Sequence, residues 1–210
     1  MHAALEALAQ TLALKAESEY FFTLSEGLIK VRAIESALDL GWTLQEGAPA
    51  PGSAFTIRTG AEGIKISREL RRLTVLDGSA DMYVIEPFEM MLEIKARPDV
   101  GSKAHAQFDQ IMPDITRVAA IPKMALLFVF DQDIYSSFSG ERSSVEGRPS
   151  THKNWFNSIF PIYSDILEYG KLSRHTKLDG NAIEFLFISI KNPIGANRIL
   201  VVGARSDAEF

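Results

Sequence analysis

Three side chains in this sequence have the types and the spacing to do chemistry together: Asp81, Glu93 and Lys95. The segment Met90-Met91-Leu92-Glu93-Ile94-Lys95 reads as a strand, in which side chains alternate between faces. Glu93 and Lys95 then project to one face, and Leu92, Ile94 and Ala96 to the other. The apolar set anchors the strand in a sheet, so the charged pair is driven onto a face with few ways to solvate it. A carboxylate and an ammonium there are costly unless they are paired or bound to something. The sequence has no other Glu-x-Lys.

Asp81 can join them. It lies in Gly78-Ser79-Ala80-Asp81-Met82-Tyr83-Val84-Ile85, a second extended run ending at a turn, Glu86-Pro87-Phe88. An antiparallel hairpin across that turn sets Asp81 opposite Glu93, the two lying symmetrically about Pro87. A slip of one residue would send the Asp81 carboxylate to the wrong face. Opposed carboxylates repel, so this register is costly without a cation between them. Hard oxygen ligands favour Mg²⁺, with Mn²⁺ as a substitute, bound by one or two carboxylates, waters and substrate phosphate oxygens. Lys95 could orient or help deprotonate an attacking water, or stabilise charge growing on phosphorus. Such a group of residues is suited to hydrolysing a phosphodiester. The plainer alternative is a surface strand with a Glu and a Lys beside a turn aspartate.

Gly78-x-x-Asp81, eleven intervening residues, and Glu93-Ile94-Lys95 on an apolar strand followed by a helix resemble the PD-(D/E)xK nuclease superfamily. That resemblance implies a restriction-endonuclease-like α/β core of a helix, three strands, a helix and a fourth strand, spanning about residues 25–130. It implies metal ligation by Asp81, Glu93 and the Ile94 carbonyl, and a catalytic Lys95. It also suggests Glu35 on the first core helix as a further metal ligand and Gln107 as a group near the metal or a base. Ala80 stands where the superfamily often has proline, and Gln110-Ile111 follow Gln107 where one branch would place a tyrosine. DNA is the substrate the resemblance favours, and cutting both strands would call for a homodimer.

The elements that must position these residues follow from periodicity and breakers. Residues 3–16 read as a helix, and Ser25 can cap a second helix to about Leu40, ended by Gly41. Leu28, Val31, Ile34 and Leu38 recur at helical spacing and are expected to face a core. Trp42-Thr43-Leu44 begins an extended segment, and 46–53 is a loop by composition. Short strands are expected at 55–58, 64–67, 73–76, 82–85 and 90–95. Ser102 caps a helix through about Ala120, with a kink or break at Pro113. Ala125–Phe130 is a buried strand, 136–154 a long loop, 155–169 helical, and 185–190 and 199–202 two closing strands. The fold class is therefore a mixed central sheet flanked by helices, in one domain of 210 residues, with C-terminal elaborations.

Basic groups along the chain suggest phosphate contacts. Lys65, Arg68, Arg71 and Arg72 lead into the Asp81 strand, as phosphate contacts or a solvated strand edge, and Lys103, His105 and Arg117 lie on the following helix, where a solvated face is the simpler reading. Arg142, Arg148, His152 and Lys153 fall in the long loop. Lys171, Arg174, His175 and Lys177 read as a solvated turn, and Asp131 and Asp133 as the end of a strand. The formal charge is −5, from 22 basic and 27 acidic residues, which counts against a nucleic-acid partner without deciding it. There is no cysteine, so disulfides and thiolate metal sites are excluded. No apolar run is long enough to span a bilayer, and a cytoplasmic protein is expected. The rival reading is a catalytically inactive binding or regulatory module on the same scaffold.

Overall fold

Seven strands of this chain share one mixed sheet, in the order β1-β2-β3-β4-β7-β6-β5. The computed structural model describes residues 3–18, 26–45, 81–97, 104–121, 123–132, 135–136, 159–192 and 196–207. The strands are β1 (Thr43–Gln45), β2 (Met82–Glu86), β3 (Met90–Arg97), β4 (Met124–Asp131), β5 (Lys171–Leu178), β6 (Asn181–Ile190) and β7 (Arg198–Arg205). The helices are α1 (Ala3–Ser18), α2 (Glu26–Asp39), α3 (Ala104–Ala120) and α4 (Tyr163–Tyr169). Only β3 and β4 pair in parallel, joined through α3; the other neighbours are antiparallel. The strands expected at 55–58, 64–67 and 73–76 lie outside the described residues.

Each face of the sheet has its own core. Met82, Val84, Leu92, Ile94, Leu127 and Leu200 face α1 and α2. Tyr83, Met91, Leu126, Phe128, Phe187 and Val201 face α3 and α4. Alternation along each strand makes this division.

The buried stripe of α2 differs from the expected one. Ile29, Ala33, Ser36 and Ala37 are buried, whereas Leu28, Val31 and Ile34 are only half-buried and Leu38 is 55% exposed. The small residues let the helix approach the sheet closely, and the larger side chains flank that contact. Gly41 ends the helix at φ +76°, with Trp42 N–H donating to Ala37 O and Gly41 N–H to Leu38 O, both at 2.9 Å. This paired termination delivers Trp42 edge-on to Phe88 in the β2–β3 turn, at 5.6 Å between ring centroids. Helix α2 is thereby pinned to the hairpin that carries Asp81 and Glu93.

Four further expectations change. Helix α3 is not broken at Pro113, which sits on its exposed side, where a missing hydrogen bond costs least. The helix expected over 155–169 is interrupted: Pro161 is non-helical, Ile162 is extended, and α4 begins only at Tyr163. The supposed turn at 171–177 is strand β5, at the sheet edge, turning into β6 through Asp179 (φ +51°) and Gly180 (φ +84°). An Asp-Gly pair of this kind is a strong hairpin signal. The C-terminal strands are not peripheral, since β7 lies directly between β4 and β6.

Candidate active site

Strands β2 and β3 pair in the register expected from symmetry about Pro87, with Met82 opposite Leu92 and Val84 opposite Met90. Asp81 lies just before β2, its N–H donating to Leu92 O at 3.1 Å. Past this point β3 is paired with β4 on its other side, with Glu93 opposite Leu126 and Lys95 opposite Phe128. The Ile94 N–H donates to Asp81 Oδ2 at 2.8 Å, so a side-chain carboxylate takes the place of a ladder carbonyl there. In a strand, a residue's N–H and C=O point to the same edge. The Ile94 carbonyl therefore faces the Asp81 side.

Glu93 is buried on the α3 face. Lys95 Nζ lies 2.6 Å from its Oε1, and Arg117 Nη1 of α3 is 3.7 Å from its Oε2. Arg117 is equally far, 3.7 Å, from Asp114 Oδ1. Glu93 Oε2 has no hydrogen-bond partner, nor do Arg117 Nε and Nη2 or the Tyr83 hydroxyl. Burial pushes the Glu93 carboxyl above the usual glutamate range, and the negative charge of Asp81 adds to the rise. The Lys95 hydrogen bond and charge, and the charge of Arg117, offset only part of it.

Lys30 of α2 completes the group, with Nζ 2.7 Å from Asp81 Oδ1. Sequence reasoning missed it. Lys30 shares a helical stripe with Ala33 and Ala37, so a reading weighted toward small residues would have pointed it at the sheet. Arg117, by contrast, differs from the solvated helix face expected of it, its side chain being largely buried against Glu93.

Glu35 does not join the site. It lies on the side of α2 away from Ala33 and pairs with Arg32 Nη1 at 2.6 Å, 40% exposed. Gln107 falls within α3, but its side chain lies outside the described residues, as do Lys65, Arg68, Arg71, Arg72 and Lys103. Asp131 closes β4 as expected, in a buried pair with Arg198.

Among the described residues no three or more His, Asp or Glu side chains gather as a metal site. The oxygens nearest to such a role are those of Asp81, held by Lys30 and the Ile94 N–H, and Glu93 Oε2, which has no hydrogen-bond partner and lies 3.7 Å from Arg117 Nη1. Together with the edge-facing Ile94 carbonyl, they are the oxygens that could hold a hard divalent ion retaining several waters. Compared with protein-family models, with curated proteins and with solved structures, the chain matches none.

Proposed function

We propose that this chain is a Mg²⁺-dependent nuclease of restriction-endonuclease-like type, hydrolysing phosphodiester bonds of DNA. One observation carries the reading: where β3 passes the start of β2, Asp81 accepts from the N–H of Ile94, the residue between the paired Glu93 and Lys95. Among the described residues the order α2, β1–β3, α3, β4 supports it, being a helix, three strands, a helix and a strand.

In the reaction, a water oxygen forms a bond to phosphorus as the bond to the leaving sugar oxygen breaks. One water proton is taken up by base, and the leaving oxygen is protonated. Asp81, Glu93 and the Ile94 carbonyl would hold Mg²⁺, which supplies Lewis acidity toward the phosphoryl oxygens and their added charge. Lys95, fixed by Glu93, orients the water and offsets negative charge on the phosphoryl group. The Ile94 N–H fixes the Asp81 carboxylate. Lys65, Arg68, Arg71, Arg72 and Lys103 supply backbone phosphate contacts in this proposal, and a homodimer would cut both strands.

A second reading has its own observation. Lys30 and Lys95 already supply counter-charge to both carboxylates, as a binding module without catalysis would need. Incubation with plasmid, single-stranded DNA and RNA, in Mg²⁺ or EDTA, separates the two. Cleavage that requires Mg²⁺ and disappears in Asp81→Ala and Lys95→Ala supports the nuclease. No cleavage of any substrate, with no binding of Mn²⁺, supports the module.

A further inference from the structure

We propose that Lys30 is a placeholder cation, holding the Asp81 carboxylate until a divalent ion displaces it and so setting the affinity of the site for metal. The inference rests on the nuclease reading and concerns a residue outside the Asp-Glu-Lys group.

The two carboxylates have four oxygens, and three are already engaged. Asp81 Oδ1 is held by Lys30, Asp81 Oδ2 by the Ile94 N–H, and Glu93 Oε1 by Lys95. Only Glu93 Oε2 lacks a hydrogen-bond partner. An ion that draws on both carboxylates must therefore share or take an oxygen on Asp81. The Ile94 N–H is part of a strand locked against β4 and cannot move away. The Lys30 ammonium stands on a flexible four-carbon stem from a neighbouring helix. Its side chain is 16% exposed, against 10% for Asp81, so it has a route to water when it leaves. An ammonium and a divalent ion on one carboxylate repel, and burial keeps that repulsion from being screened. Lys30 therefore weakens metal binding, while in the metal-free chain it balances a charge that would otherwise be buried alone.

Titrating Mn²⁺ into the full chain by calorimetry tests this, with circular dichroism confirming the fold of each variant. Lys30→Met keeps the stem and removes the charge, and it should bind Mn²⁺ about tenfold tighter than the parent. Lys30→Arg keeps the charge and should bind like the parent, and adding Asp81→Asn to Lys30→Met should abolish the gain. If Lys30→Met does not fold, Lys30→Gln carries the same expectation. Binding that is unchanged or weaker without the Lys30 charge overturns the inference, leaving the nuclease reading to stand on the parent's own metal-dependent cleavage. Absence of Mn²⁺ binding in both parent and variant removes the metal site itself, and this inference with it.

Discussion

Two buried carboxylates on neighbouring parallel strands, Glu93 of β3 and Asp131 of β4, meet their counter-charges in different ways. Asp131 faces Arg198 directly across the β4–β7 ladder, at 3.0 Å, and Arg198 also donates to Ala196 O at 2.7 Å. That is one anion matched to one cation, in a place where the ladder fixes both. Glu93 has a lysine on one oxygen, a distant arginine by the other, and a second carboxylate near enough to raise its pKa. Burial of charge alone does not distinguish a site from a structural pair. What sets Glu93 apart is a buried carboxylate oxygen without a hydrogen bond and a second carboxylate whose charge opposes its own, features that an arriving divalent ion would relieve.

The largest effect that separates the two regions should appear in cleavage. Asp81→Ala or Lys95→Ala should lower the rate by about 10²–10⁴-fold, measured on plasmid DNA in Mg²⁺. Asp131→Asn should leave cleavage per folded molecule unchanged. Stability should show the reverse pattern. Asp131→Asn strands a buried guanidinium and should cost about 3–5 kcal/mol in urea unfolding. Glu93→Gln should leave the metal-free chain as stable as the parent, or more so, at neutral pH.

The pH dependence follows from the raised Glu93 pKa. Its folded value lies above its unfolded value, so the stability it contributes is full below the ordinary glutamate pKa. That contribution is lost as pH rises through the folded value. The advantage of Glu93→Gln should therefore open with rising pH and vanish in acid, as urea melts across that range would show. A smaller effect concerns metal binding. Because the bound ion requires the carboxylate, Mn²⁺ affinity should fall as pH drops below the folded pKa, with a proton released on binding. Calorimetry in two buffers of different ionisation enthalpy reads that proton directly.

The hairpin was legible because a carboxylate on the wrong face is expensive, leaving one sensible register about Pro87. The second helix was misread because its contact stripe is Ala33, Ser36 and Ala37, which carry little hydrophobic weight beside Leu28 or Leu38. That same rotation hid Lys30 and made Glu35 look like a ligand. Strand β5 was hidden by its charged, exposed residues, which suit a sheet edge but resemble a turn, although Asp179-Gly180 marked the hairpin. Arg117 was hidden because a helix periodicity shows which face is apolar, not which strand residue lies beneath it.

A crystal of the chain soaked in Mn²⁺ tests the central claim most directly, through its anomalous scattering. A peak is expected touching Asp81 and Glu93 oxygens beside the Ile94 carbonyl, with the Lys30 ammonium moved off Asp81. Diffraction showing no peak there, with Lys30 and Lys95 still seated on their carboxylates at saturating Mn²⁺, would contradict it.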